Sequence, residues 1–175
     1  TLAVFNSVYD TVYLHPSHSD QCKWSTVTKY LNENESWKNY NFIWIPDCNI
    51  NISNDNIVNF LQITESLNQD ITQPSLKKSS DASIYTHEVL LNQANSKSRN
   101  TSFIENKIPC FKVDYIQNNL LPFLNVNSKY ITSGWGIDLW WSNHSKQLSI
   151  IDVIEVEDST LPINKSIGSK EMKYL

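Results

Sequence analysis

Glycine is scarce in this chain, three residues in 175, and two of them, Gly134 and Gly136, flank Trp135. With so little glycine there is no phosphate-cradling G-x-G-x-x-G and no P-loop, and G-x-S-x-G and H-E-x-x-H are missing too. Dinucleotide-dependent, P-loop NTPase, serine hydrolase and zincin readings therefore have no support. Cys22, Cys48 and Cys110 are an odd set with no C-x-x-C pair, which suits neither a disulfide framework nor a zinc knuckle and points to a reducing compartment. No apolar run approaches the roughly 20 residues that span a bilayer. The N-terminus, which begins at Thr1 rather than Met, shows no basic stretch followed by an apolar core. The expectation is a cytoplasmic protein with no transmembrane segment. Basic charge is also short, 14 Lys and Arg against 18 Asp and Glu for a net charge of -4, which argues against nucleic acid as a partner. In so Asn-rich a chain, the sequons at Asn34, Asn51, Asn100, Asn143 and Asn164 read as composition rather than glycosylation sites.

What is present is an ordinary apolar fraction of 40% over a length that suits one domain with a real core. Short β-prone runs alternate with helical patterns, the signature of an α/β domain with a mainly parallel central sheet. Residues 2–5 and 11–15 read as strands too close for a crossover, hence as a hairpin unless a loop is missing from the chain. A helix is expected over 24–31 with Ser25 as cap, and a strand over 42–45, apolar on both faces and so central. Ser53 or Asn54 caps a helix carrying Ile57, Phe60, Leu61 and Leu67. Residues 70–76 and 83–91 read as extended, 113–124 as a helix with Pro122 disturbing its last turn, and 148–156 as a strand. The domain is taken as residues 1–164, with a polar tail over 165–175.

Two stretches concentrate chemistry. Asp47 and Asn49 follow the 42–45 strand, at the carboxyl end where ligands bind in open α/β sheets. Their oxygens can hold Mg²⁺ or Mn²⁺, or can simply make turn hydrogen bonds ahead of the next helix. In the Gly134–Trp135–Gly136 turn the indole can stack on a sugar ring, with Asp138 beside it as a base or as a helix cap. His87 lies in the run Tyr85-Thr86-His87-Glu88, where a lone strand His is usually structural. Arg99 can pair with a phosphate or with Glu105.

Taken in order, the stretches around 40–50, 70–76, 85–88, 99–111, 133–141 and 150–162 resemble a bacterial and plant family catalogued as domain of unknown function 707, similar to nucleotide-sugar glycosyltransferases of the GT-A, Rossmann-like fold. The likeness covers residues 23–164. It implies transfer of a sugar from a nucleotide-sugar donor to a glycan or other hydroxyl acceptor, in surface-polysaccharide synthesis at the inner face of a membrane. The alternative is a degenerate carbohydrate-binding module that keeps the cleft without the chemistry. On the resemblance, Asp47-Cys48-Asn49 takes the place of an acidic metal-binding triplet, reduced here to one acid. Asp47, Asn49 and Asp158 would hold Mn²⁺ or Mg²⁺. His87, Arg99 and Trp135 would contact the donor, and Asp138 and Glu105 would carry catalysis.

Overall fold

The computed structural model describes residues 23–47, 49–78, 87–131 and 134–158, and residues 2–5 and 9–12 through their backbone pairing. Residues 13–15 of the expected second strand, Cys48, residues 83–86 and the 165–175 tail lie outside the described residues.

The chain opens with a hairpin of β1 (Leu2–Phe5) and β2 (Tyr9–Val12). After α1 (Lys23–Glu33) come β3 (Phe42–Trp44), β4 (Ile50–Asn51), α2 (Asn54–Leu67) and β5 (Ile71–Leu76). Then follow β6 (Arg99–Asn100) and β7 (Cys110–Lys112). A helical stretch runs through α3 (Val113–Tyr115), a π turn (Ile116–Leu120) and α4 (Leu121–Asn127), and α5 (Ile137–His144) leads into β8 (Leu148–Asp158). The sheet order is β2-β1-β3-β7-β5-β8-β4, with β6 also on β8.

The expectation of a mainly parallel sheet is corrected to a mixed one. β5 and β8 pair in parallel, whereas β1–β2, β1–β3, β3–β7, β5–β7, β4–β8 and β6–β8 are antiparallel. The cause is β7, a three-residue strand reversed between β3 and β5 and leading straight into α3. Its length is too short for a two-residue period to register beside the helical pattern that follows. By these pairings β3, β5 and β8 still share one direction, so their carboxyl ends open on one edge of the sheet.

Local signals explain most elements. Ser53 accepts a hydrogen bond from the Asn56 N–H and so satisfies one of the orphan donors of α2, while Asn68 closes that helix in the left-handed region (φ 51°). α1 begins at Lys23, which places Ser25 inside it rather than at its cap. Pro122 sits at the start of α4, not in a disturbed last turn. The wider π turn before it absorbs the missing N–H and the ring's clash with the preceding turn, so the helix continues. Residues 88–90, expected as extended, form a 3-10 turn. β8 is buried on both faces from Leu148 to Asp152 and then alternates, as a strand leaving the interior does.

The core is rich in large aromatics. Trp24, Phe111 and Trp141 meet with ring centroids 5.2–6.2 Å apart, and Trp44 packs on Phe60 at 5.2 Å. Burying indoles is favourable only when their N–H groups find acceptors. Here Trp44 donates to the Ile108 carbonyl at 3.1 Å and Trp141 to the Ile104 carbonyl at 2.8 Å. These two bonds bracket residues 104–108 and fix that loop against the core.

Candidate functional site

The loop so fixed carries Glu105 and Lys107. Its backbone extends the β3–β7 ladder: Ile45 N–H donates to the Pro109 carbonyl (2.9 Å) and Asp47 N–H to the Lys107 carbonyl (2.7 Å). Asp47, just past β3, is thereby held beside Lys107. From the middle of β5, buried Gln73 accepts from the Glu105 N–H at 2.9 Å, and Ser142 of α5 accepts from the Ile104 N–H at 3.3 Å. Residues 106 and 107 form a turn, which brings the Lys107 side chain back beside that of Glu105.

Three further segments converge here. Lys23, at the start of α1, donates to Asp47 Oδ1 at 2.7 Å and to the carbonyls of Asn106 (2.6 Å) and Lys107 (3.1 Å). Asp158, at the end of β8, accepts from Lys107 Nζ at 2.6 Å through one oxygen and from Asn49 Nδ2 at 2.6 Å through the other. Lys107 Nζ also stands 3.7 Å from Glu105 Oε1. Asn106 Nδ2 donates to the Gly134 carbonyl at 2.9 Å, which joins the glycine-tryptophan turn to the same loop. The carboxyl ends of β3 and β8 and the turn at residue 135 therefore meet around residues 105–107.

That turn depends on its glycines. Gly134 and Gly136 have φ of 81° and 86°, the left-handed region that side chains disfavour. A Cβ on Gly134 would lie 2.2 Å from Trp24 Cδ1, so core packing demands glycine as well. Gly136 is the N-cap of α5, which puts Asp138 in the first turn, where a negative charge suits the helix end. Asp138 Oδ1 accepts from the Leu139 N–H at 3.0 Å.

The carboxylates carry the site's electrostatics. Burial lifts Glu105 from 4.5 to about 7; Lys107 opposes the shift, while Asp138, Asp158 and Asp47 reinforce it. Glu105 Oε2 is buried with no hydrogen-bond partner among the described residues. Burial also raises Asp138, against backbone hydrogen bonds from Leu139, Asn106 and its own N–H and against nearby His87. For Lys107 burial disfavours the charge, but Glu105, then Asp158 and Asp47, outweigh it and hold the ammonium above the ordinary lysine value.

Of the residues singled out in the sequence, Asp47, Asn49, Glu105, Asp138 and Asp158 come together, and His87 lies within electrostatic reach of Asp138, its ring 4.8 Å from that of Phe103. Trp135 is half-buried in the turn beside them. Arg99 does not join. Its guanidinium pairs with buried Asp152 and donates to the carbonyls of Val89 (2.6 Å) and Leu91 (3.0 Å), not to Glu105. Lys23 and Lys107 carry no motif in the sequence, because each meets its acid only across the fold, Asp47 at 24 and Asp158 at 51 positions away.

The oxygens named for Mn²⁺ or Mg²⁺ do not fit such an ion in this arrangement. Asp47 faces Lys23, Asp158 faces Lys107, and Asn49 turns its N–H, not its carbonyl, toward Asp158. Among the described residues no three His, Cys, Asp or Glu side chains are placed to share a metal, and no helix is long and apolar enough to cross a membrane. No family model, no curated protein and no solved structure matches the chain.

Proposed function

We propose that this cluster is the active site of a glycosyltransferase that moves a sugar from a nucleotide-sugar donor to a hydroxyl acceptor, with Glu105 as general base. The observation that carries the reading is Glu105 itself. A carboxyl lifted to about 7 is partly ionised at neutral pH, which suits a group that must take a proton in one step and release it in the next. Its Oε2 is buried without a hydrogen-bond partner among the described residues, an acceptor that the protein itself does not use.

As the hydroxyl oxygen attacks the anomeric carbon, its proton passes to Glu105 and the bond to the diphosphate breaks. Asp138, held by backbone N–H groups, accepts sugar hydroxyls and fixes the ring. Trp135, half-buried between two glycines, gives an indole face for the sugar. Asp158, itself held by Asn49, keeps Lys107 beside Glu105.

The test is release of nucleoside diphosphate from a panel of nucleotide sugars, with simple sugars as acceptors. Glu105→Gln keeps the shape and is expected to lower turnover about 10²- to 10⁴-fold with donor affinity retained. Donor affinity with no turnover in the unaltered protein would favour the carbohydrate-binding alternative. Equal turnover in the Gln variant would remove Glu105 from the chemistry.

A further inference from the structure

Glycosyl transfer from a nucleotide sugar needs positive charge at the diphosphate, because negative charge builds on the leaving group. The expected carrier was a divalent cation on Asp47, Asn49 and Asp158, and all three are engaged otherwise. We propose that Lys107 supplies this charge from within the chain, so that the site binds a nucleoside diphosphate without a metal.

The two lysines of the cluster divide the work. An ammonium has three donors. Lys23 spends three hydrogen bonds on Asp47 and on the carbonyls of Asn106 and Lys107, and so acts as a brace between the end of β3 and the 104–108 loop. Lys107 makes one hydrogen bond, to Asp158, with Glu105 Oε1 beyond bonding distance at 3.7 Å. Two of its N–H groups remain for phosphate oxygens. Asn49 and Asp158 then serve as the stay that aims Lys107.

The charge balance agrees. Asp47–Lys23 and Asp158–Lys107 are oppositely charged pairs, and backbone N–H groups donate to Asp138. A phosphate at Lys107 meets an ammonium with one of its three donors engaged, beside the Glu105 carboxyl. A divalent ion placed among the same oxygens would face two ammonium groups already hydrogen-bonded to them and would have to displace at least one.

This inference rests on the transferase reading, and the experiment separates the two. Calorimetry is run with UDP, GDP, CDP and ADP on the full chain, in EDTA and in Mn²⁺. The expected result is one nucleotide binding equally in both. Lys107→Met should weaken it roughly ten- to a hundredfold, the range of a lost charge-assisted hydrogen bond, and Lys107→Arg should restore much of it. Should the Met variant fail to fold because Asp158 has lost its ammonium, the double variant Lys107→Met, Asp158→Asn removes both charges and should show the same loss. Binding that requires Mn²⁺, or binding unchanged in the double variant, overturns the inference and leaves the transferase reading standing. Absence of binding under either condition overturns both.

Discussion

Replacing Glu105 by Gln should make the protein more stable at alkaline pH, by an amount that depends on pH in a defined way. The unfolded chain loses the Glu105 proton near 4.5, whereas the folded chain keeps it until about 7. Between these values the native state binds more protons than the unfolded state, so stability falls as pH rises, and above about 7 the loss is complete. At about 1.4 kcal/mol per pH unit, this window corresponds to about 3 kcal/mol. That folded-state value is the balance of burial, which raises it, of Lys107 on the same loop, which lowers it, and of Asp138 from α5, Asp158 from β8 and Asp47, which raise it. Gln does not titrate. Urea unfolding of both proteins from pH 4.5 to 8 should therefore show the stability difference moving in favour of Gln by about 3 kcal/mol. A difference that stays flat to within about 0.5 kcal/mol would mean that Glu105 ionises normally, and the general-base assignment would lose its physical basis.

Gly134→Ala sets a Cβ against Trp24 and in the left-handed region, so thermal or urea unfolding should register a loss of at least about 2 kcal/mol. Arg99→Ala strands fully buried Asp152 and two loop carbonyls; a loss of about 3 kcal/mol is expected in the same assay, with nucleotide affinity in calorimetry unaltered because Arg99 lies outside the cluster. Trp141→Phe keeps much of the core volume but leaves the Ile104 carbonyl without its donor, at a cost of about 1–3 kcal/mol. The amide of Glu105 should then exchange faster with solvent, since the loop loses one of its two indole anchors.

The parts of the fold that the sequence announces are those whose cause is local. Ser53 precedes an apolar helical repeat, and the 42–45 and 148–156 runs are apolar and β-prone, so α2, β3 and β8 stand where expected. Strand β7 was hidden because three residues carry no period, and with it went the reversal that makes the sheet mixed. The π turn was hidden because Ile116 and Leu120 fit an α pattern equally well. In the site, acids and the glycine-tryptophan turn stood out by residue type. Lys107 acts through Asp158, 51 positions away in the chain, and no spacing within a short stretch signals such a pair. Arg99 shows the reverse: the sequence offers it a phosphate or Glu105, while its partner Asp152 lies 53 positions on, within the core of β8.

On the transferase proposal the donor binds around residues 105–107, at the carboxyl ends of β3 and β8. Backbone amide spectra recorded while a nucleotide sugar is added measure this directly. Shifts should concentrate at residues 105–107, 134–138 and 157–158. Shifts confined to the open groove at the other end of β3, lined by Lys38, Asn68, Lys112 and Gln117, or no shifts at all, would contradict it.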